Sequence, residues 1–283
     1  MRIKTTSLIL GLLILLCAWG SLQAAWVKSP AIRAGGFTQV QSPAVMQELE
    51  KRGLTDAFYE VKGGSYPAMK ANVQAFLNSL PGTKIKLHII LPPFRNWDGS
   101  FADPADQAYR NNFLGTVKRI FRDCPQLSGL SLNDYLYPDQ FWKTATQEQR
   151  NQNRRTLVDF ARQVRNAVHS AKLSALFSIN IYPVPSHDAY CRDLAMVCDY
   201  IMPEVYRLSP NVTHEWFESA LVQNLKWAGR TPMICGVITS NHLDSGYTTS
   251  EIVKDVQIAL KHKVAGYMLW QWGYCPSDLY WPK

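Results

Sequence analysis

The sequence has 283 residues and a formal net charge of +8, with its lysines and arginines scattered along the chain. Scattered positive charge is not the footprint of a nucleic-acid-binding protein, so we expect no nucleic-acid partner. The histidines form neither H-E-x-x-H nor a close ligand cluster, and the Walker, G-x-G-x-x-G and G-x-S-x-G patterns are missing. We therefore expect no metal site and no cofactor.

Residues 1–25 have the layout of a secretory signal peptide. Arg2 and Lys4 precede an apolar run from Leu8 to Trp19, which is followed by S-L-Q-A-A. This run of about 12 residues is shorter than the roughly 20 needed to cross a bilayer. We predict cleavage near Ala25, no transmembrane span in the mature chain, and a secreted or periplasmic location. The sequence does not predict an oligomeric state.

From Ala31 onward, short apolar runs alternate with longer segments of helical periodicity. The candidate strands cover residues 31–37, 55–62, 84–91, 128–134, 174–182, 199–206, 232–239 and 264–272. The candidate helices cover residues 43–52, 67–79, 105–122, 151–171, 187–196, 214–227 and 249–262. In the helix 151–171, for example, Leu157, Phe160 and Val164 fall on one face, and arginines and glutamines lie opposite.

This alternation predicts parallel strands joined by right-handed βαβ connections. Eight such units in about 250 residues predict one α/β domain, a closed (β/α)8 TIM barrel over residues 26–283. The alternative is an open doubly wound sheet. That fold usually has fewer strands and places a ligand at a phosphate-binding glycine turn, for which we find no pattern.

Five cysteines remain after signal cleavage, so at least one is unpaired within the chain. Cys191 and Cys198 are close in sequence. A helix spanning both would separate their Cα atoms by about 10 Å, which is beyond disulfide reach. The disulfide pairing therefore stays open.

Polar and aromatic residues recur at the C-terminal ends of the candidate strands, the end at which TIM barrels place their chemistry. Such a ring at the barrel mouth is typical of a site that stacks on sugar rings and hydrogen-bonds their hydroxyls. We therefore expect an oligo- or polysaccharide ligand. The candidate residues are Glu60, His88, Arg95, Trp97, Asn133, Asp134, Tyr135, Asn180, Tyr182, Glu204, Tyr206, Trp270 and Trp272.

Four strand ends carry motifs in a recognisable order. The stretch G-L-S-L-N-D-Y-L-Y-P at 129–138 is similar to G-I-H-F-D-D-Y-F-Y-P. The run Y-E-V-K at 59–62, followed by Gly64 and Tyr66, is similar to F-Q-V-R-P-x-G-D-A-x-Y. Residues 88–95 are similar to H-A-W-L-N-P-Y-R, and residues 199–207 to D-Y-I-x-P-Q-x-Y-W. These are patterns of the glycosyl-hydrolase-like family ten, which the chain resembles. The resemblance implies a (β/α)8 barrel that hydrolyses glycosidic bonds.

The chain departs from the family pattern at four positions. Asn133 replaces the first acid of D-D-Y, Ser131 replaces the preceding histidine, Pro92 replaces an asparagine, and Glu204 replaces the sixth-strand glutamine. The related chitinase pattern D-x-x-D-x-D-x-E would place its last three acids on Ser131, Asn133 and Tyr135. Chitinase chemistry in its usual form is therefore disfavoured.

Glycoside hydrolysis normally needs two carboxyl groups, and Asp134 and Glu204 are the leading catalytic pair. Since the family has two acids on the fourth strand and an amide on the sixth, we hypothesise that one catalytic carboxylate has moved across the barrel to Glu204. Alternation predicts that Met202, Glu204 and Tyr206 face the barrel axis. The same rule turns Tyr135 inward and Asp134 outward, so Asp134 reaches the site only if the strand has begun to turn.

Several candidates have a structural alternative. Glu60 is the reserve carboxylate, although its shared parity with Lys62 also predicts an interior ion pair. His88 is either a ligand-binding residue or a hydrogen-bonded core histidine. Trp270 and Trp272 are predicted to share one face of the last strand and to form the floor of a pocket. Because Asn133 replaces an acid, a barrel that binds carbohydrate without cleaving it is the alternative function.

Overall fold

The protein is described by a computed structural model that covers residues 32–61, 65–94, 100–133, 135, 145–183, 188–207, 212–239, 247–274, 279 and 281. All eight predicted strands are present: β1 Ile32–Phe37, β2 Asp56–Glu60, β3 Lys86–Leu91, β4 Gly129–Leu132, β5 Leu176–Ile181, β6 Tyr200–Pro203, β7 Ile234–Ile238 and β8 Gly266–Trp270. The helices predicted between them are also present: α1 Pro43–Lys51, α2 Tyr66–Leu77, α3 Gln107–Asp123, α4 Gln147–Ala171, α5 Asp188–Ala195, α6 His214–Ala228 and α7 Thr249–Lys261. The predicted signal peptide lies outside the described residues.

The eight strands form one parallel sheet in the order β6-β5-β4-β3-β2-β1-β8-β7. Two bridges, Ile201 to Met233 and Glu204 to Gly236, join the edge strands β6 and β7. These bridges bring the ends of the sheet together, so the predicted (β/α)8 barrel is confirmed and the open sheet is excluded.

The register of the strands is that of a TIM barrel. Register partners can be followed from β1 to β5 in both directions around the barrel. Through β2, β3 and β4, Gly36 leads to Leu176, whereas through β8, β7 and β6, Ile32 leads to Asn180. The two routes differ by four positions on β1 (36 − 32) and four on β5 (180 − 176), a total offset of eight. This offset is the shear of a TIM barrel and sets which side chains lie at the same height.

Helix starts follow the sequence closely. Thr146 and Thr248 each accept a hydrogen bond from the third helical residue, Gln149 or Glu251, whose side chain bonds the capping residue's backbone in return. Such caps are each worth about 1 kcal/mol. The predicted apolar face of α4 is confirmed, since Leu157, Phe160 and Val164 are fully buried.

The apolar residues form two clusters. The larger one lies between the strands and the surrounding helices and includes Leu130, Leu132 and Phe160. The smaller one fills the barrel interior, and its members are Ile32, Ala34, Phe58, Ile90, Tyr200, Met202, Ile234 and Met268. Fully burying one such large side chain contributes about 1.5–3 kcal/mol, so both clusters stabilise the barrel strongly.

Four strands end two or three residues earlier than predicted. β2 ends at Glu60 rather than 62, β4 at Leu132 rather than 134, β6 at Pro203 rather than 206, and β8 at Trp270 rather than 272. The short 3-10 helix Trp272–Tyr274 follows β8, and the Trp270–Gln271 peptide bond is cis. Early ends matter because alternation of side chains cannot be extrapolated past them.

Four cysteines of the described chain are free thiols, and all four are buried: Cys124, Cys191, Cys198 and Cys235. The helix α5 contains Cys191 and ends before Cys198, and the two do not form a disulfide. Within the ranges described above, none of the helices is both long and apolar enough to span a membrane.

Candidate active site at the barrel mouth

One layer of inward-facing side chains lies at the C-terminal ends of β2, β4, β6 and β8. The shear of eight is spread over eight strands, so residues at equal height are displaced by one residue per strand from their register partners. At every second strand, the residue at equal height is therefore two positions beyond the register partner. Glu60, Asn133, Glu204 and Trp270 therefore fall in a single layer, which we call the mouth layer. All four are partly buried, so each keeps some surface for a ligand.

The order of strands around the barrel decides which members of the mouth layer face each other. β2 and β6 are four strands apart, as are β4 and β8. Glu60 and Glu204 therefore extend from opposite walls, and Asn133 lies opposite Trp270. The mouth layer thus has two acidic walls, one amide wall and one aromatic wall.

The next layer down explains how the aromatic side chains fit. It consists of Gly36, Ile90, Asn180 and Gly236, so two of its four positions have no side chain. A Cβ on Gly36 would lie 2.1 Å from Trp270 Cε3, and one on Gly236 would lie 3.1 Å from Tyr206 Cε1. The two glycines therefore make room for the Trp270 indole and the Tyr206 ring.

A ladder of hydrogen bonds supports the amide wall. Ser131 Oγ donates to Asn180 Oδ1 at 2.6 Å, and Asn180 Nδ2 donates to Asn133 Oδ1 at 3.0 Å. Ser131 is fully buried and Asn180 is 1% exposed. Asn180 was predicted to bind ligand, but its buried amide supports Asn133 from below.

Glu204 lies on the inner face of the barrel, as alternation predicts. Its neighbour two residues earlier, Met202, belongs to the interior cluster. The Glu204 amide donates to the Ile181 carbonyl at 2.9 Å, and Glu204 bridges to Gly236 on β7. These two contacts hold the residue between β5 and β7.

The prediction that Tyr135 faces the barrel axis is wrong. Its side chain is fully buried, its hydroxyl donates to the Leu157 carbonyl of α4 at 2.7 Å, and its ring packs against Phe94. Because β4 ends at Leu132, the alternation of its side chains does not extend to Tyr135. The part of Tyr135 in ligand binding stays a prediction.

His88 lies in the core as a hydrogen-bonded histidine, which was its structural alternative, and its part in ligand binding stays a prediction. His88 is 2% exposed, its Nε2 lies 2.9 Å from Asp56 Oδ1, and its ring stacks on Phe58. His88 is only the third residue of β3, so three further strand residues separate it from the mouth. Burial by itself would raise the pKa of Asp56, but hydrogen bonding to His88 and Thr55 and the charges of His88 and Lys86 together lower it.

Trp270 and Trp272 do not share one face. β8 ends at Trp270, whereas Trp272 begins the 3-10 helix. The Trp272 ring stacks on Trp281 at 5.2 Å and lies 6.2 Å from Phe37, in the outer core. Its part in ligand binding stays a prediction, as does that of Tyr182, which is 43% exposed just beyond β5.

Sequence reasoning missed a set of hydrogen bonds that joins the ends of β7, β8 and β1. The Thr239 amide donates to the Trp270 carbonyl at 2.6 Å, and Thr239 Oγ1 donates to the Gln271 carbonyl at 2.8 Å. Gln271 Nε2 in turn donates to Thr38 Oγ1 at 2.6 Å. Glycines inside strands were the available signal for the site, because Gly36 and Gly236 mark close approach by another group.

Three of the predicted site residues lie outside the described residues. They are Asp134, Arg95 and Trp97. Lys62, the predicted ion-pair partner of Glu60, also lies outside the described residues. Their roles stay predictions.

Comparison with known proteins finds similarity in structure alone. No protein-family model matches the chain, and no curated protein matches it in sequence. The chain is similar to the PgaB (BpsB) glycoside hydrolase domain from Bordetella bronchiseptica, with a TM-score of 0.60 and 10% identity over 85% of this chain and 94% of that one. It is also similar to Bacteroides uniformis beta-glucuronidase 2, with a TM-score of 0.60 and 13% identity over 86% of this chain and 30% of that one.

A third neighbour is the beta-galactosidase from Bacillus circulans sp. alkalophilus, with a TM-score of 0.62 and 12% identity over 86% of this chain and 51% of that one. The likeness is one of fold. These neighbours are glycoside hydrolases with a TIM-barrel fold. The chain spans about a third of the length of the glucuronidase and about half of the length of the galactosidase. The resemblance to the glycosyl-hydrolase-like family ten stays a prediction.

Proposed function

We propose that the protein is a glycoside hydrolase that cleaves glycosidic bonds of an oligo- or polysaccharide at the barrel mouth. The observation that carries the proposal is the mouth layer. In it, the acid Glu204 and the amide Asn133 extend from strands two apart, and Trp270 forms the aromatic wall opposite Asn133. The fold shared with glycoside hydrolases supports the same assignment.

The proposed chemistry uses two carboxyl groups on either side of the scissile bond. Asp134 is the proposed general acid, which protonates the leaving oxygen. Glu204 is the proposed ionised partner, which attacks the anomeric carbon or activates a water molecule. Since Glu60 extends from the wall opposite Glu204, it is the reserve carboxylate and a hydrogen-bonding group for sugar hydroxyls.

The aromatic and amide walls supply binding. A sugar ring presents apolar C–H faces to an aromatic surface and hydroxyls to polar groups. Trp270 is the proposed stacking surface, and Asn133 is the proposed hydrogen-bonding group on the opposite wall. The ladder through Asn180 keeps the Asn133 amide in one orientation.

A carbohydrate-binding barrel without catalysis is the second candidate. It is favoured by Asn133, whose amide stands where the resembled family has an acid and is tied to Asn180. An amide in this position binds hydroxyl groups but does not transfer a proton as a carboxyl group does.

A polysaccharide panel separates the two candidates. Reducing-end release and binding are measured separately on the purified protein. Release of reducing ends from a bound glycan supports the hydrolase. A glycan that binds with micromolar affinity and is never cleaved supports the binding barrel, and failure to bind any glycan would contradict both.

We also infer that the chain is exported and that residues 1–25 are removed. The charged start and short apolar run support this inference. N-terminal sequencing of the protein recovered outside the cytoplasm should give a start near Trp26, and an intact Met1 in that material would contradict it.

A further inference from the structure

A buried cluster of charged side chains lies beside the end of β6. Asp255 of α7 accepts a hydrogen bond from Arg207 Nε at 2.7 Å through Oδ2, and its Oδ1 lies 2.7 Å from His214 Nδ1. The Arg207 guanidinium lies 4.5 Å from the centre of the Tyr247 ring, and the Tyr247 hydroxyl donates to the Arg207 carbonyl. We call Arg207, His214, Tyr247 and Asp255 the Arg207 clamp. It fixes both the side chain and the backbone of Arg207.

The sheet itself does little to fix the chain at this point. The β6 ladder ends at Pro203, which lacks a backbone N–H. Beyond it, the Val205 and Tyr206 amides donate to the Pro203 and Glu204 carbonyls, two residues back in each case. The regular contacts between strands therefore stop at Glu204, and the Arg207 clamp holds the chain three residues further on.

Stability is a weak explanation for this cluster. Arg207 and Asp255 are 4% and 1% exposed, so both charges have lost most of their hydration. The desolvation of a buried ion pair largely offsets its Coulombic gain, and apolar residues of similar volume often stabilise as well or better. Among the described residues, Arg207 Nη2 is also buried with no hydrogen-bond partner, which adds a further cost. What such a pair adds is a defined geometry, since each Asp255 oxygen contacts one specific nitrogen.

We propose that Asp255 and Arg207 are positioning residues that hold Glu204 and Tyr206 at the barrel mouth. Arg207 directly follows Tyr206, whose ring lies over Gly236, and is three residues from Glu204. Fixing Arg207 therefore fixes the far end of the short segment that carries both site residues. This assignment rests on the proposed function, because Glu204 is the proposed catalytic carboxylate.

The chain contains a matched control at the other end of the same strand. Asp199, which precedes β6, also pairs with an arginine and a histidine: Arg165 Nη2 at 3.0 Å and His169 Nε2 at 2.8 Å. Its side chain is 7% exposed, against 2% for Asp255, and its arginine partner is more exposed, at 39% against 5% for Arg207. Asp255→Asn and Asp199→Asn therefore remove the same charge from an arginine and a histidine at opposite ends of the barrel.

The test compares these two variants in the full protein at a temperature well below either Tm. We expect both variants to have a lower Tm. Only Asp255→Asn should lower kcat, by about 10- to 100-fold with a smaller change in KM, because a small displacement of a catalytic group is costly. Tyr247→Phe removes only the hydrogen bond to the Arg207 carbonyl and should act in the same direction to a smaller extent.

A second readout does not depend on turnover. The protein is labelled with 3-fluorotyrosine, and the fluorine NMR signal that disappears in Tyr206→Phe is assigned to Tyr206. This signal should shift in Asp255→Asn and keep its position in Asp199→Asn. If no glycan is turned over by the parent protein, the hydrolase proposal fails, and this signal alone decides the positioning role. An unchanged Tyr206 signal in Asp255→Asn, or equal losses of kcat in the two aspartate variants, would overturn it.

Discussion

The indole of Trp270 lies directly on Gly36, so close that a Cβ at residue 36 would be 2.1 Å from Trp270 Cε3. Carbon atoms in contact are normally about 3.5–4.0 Å apart, so Gly36→Ala must displace the indole by more than about 1 Å. If Trp270 is the stacking surface, this change should weaken glycan binding several-fold by displacing the indole, although no ligand-contacting residue is itself substituted. Isothermal titration with a verified glycan measures the effect.

Gly115→Ala provides the control for the Gly36 experiment. A Cβ at Gly115, in α3, meets nothing within 4 Å, so this variant should bind glycan as the parent does. It should also be slightly more stable, since alanine is favoured over glycine in a helix by up to about 1 kcal/mol. Equal affinities for the two variants would show that the indole on Gly36 takes no part in binding.

The two tryptophans at the end of β8 should respond differently to truncation. Trp270 belongs to the mouth layer, whereas Trp272 stacks on Trp281 in the outer core. Trp270→Ala should therefore weaken glycan binding several-fold. Trp272→Ala should mainly lower the free energy of unfolding, by about 1–3 kcal/mol, because the Trp272 side chain is only partly buried. Titration and chemical denaturation of both variants check this, and a larger affinity loss in Trp272→Ala would reverse the assignment.

The barrel could be predicted from the sequence because its signals are local and repeated. Each strand is a short apolar run, and each helix has an apolar face such as that of Leu157, Phe160 and Val164. Eight alternations in one domain leave few other folds. Alternation within strands also placed Glu204 on the inner face, because Met202 and Glu204 lie on either side of the last regular residue of β6.

The errors in the site arose where the strands end. Tyr135 and Trp272 were placed by extending an alternation beyond Leu132 and Trp270, where the backbone turns. The burial of His88 depends on its height in the barrel, which follows from the register of eight strands and cannot be read from β3 by itself. The placement of Glu60 and Glu204 on opposite walls also depends on the register and order of all eight strands, so it could not be predicted from either strand alone.

The pair of Asp56 and His88 inside the barrel predicts a pH dependence of stability. Burial by itself would raise the pKa of Asp56, but hydrogen bonding to His88 and Thr55 and the charges of His88 and Lys86 together hold it below its ordinary value of 3.8. A carboxylate whose folded-state pKa is lowered stabilises the fold above its unfolded-state pKa, and that contribution is lost as pH falls through the folded-state pKa.

Asp56→Asn should therefore be less stable than the parent at pH 6, and the difference should shrink as pH falls from about 4 to 3. Urea denaturation at several pH values measures it. A difference that stays constant over this range would show that the Asp56 charge does not contribute.

The four free cysteines should behave as buried thiols. Burial raises the pKa of Cys124, Cys198 and Cys235, which suppresses the reactive thiolate. In the native protein we expect slow reaction with a thiol reagent, and in denaturant without reductant we expect at least four rapidly reacting thiols. Fewer than four would mean that some of these cysteines form disulfides.

Glu204 is the proposed catalytic carboxylate, and the most direct measurement of this role is kcat of Glu204→Gln on a glycan that the parent cleaves. The control is Glu218→Gln, which neutralises a glutamate bonded to Lys261 and His262 on the outer helices. A charge that acts mainly in the transition state affects kcat far more than binding. We expect Glu204→Gln to lose about 1,000-fold or more in kcat with little change in affinity, and Glu218→Gln to keep the parent rate. Near-normal turnover by Glu204→Gln would show that Glu204 is not a catalytic carboxylate.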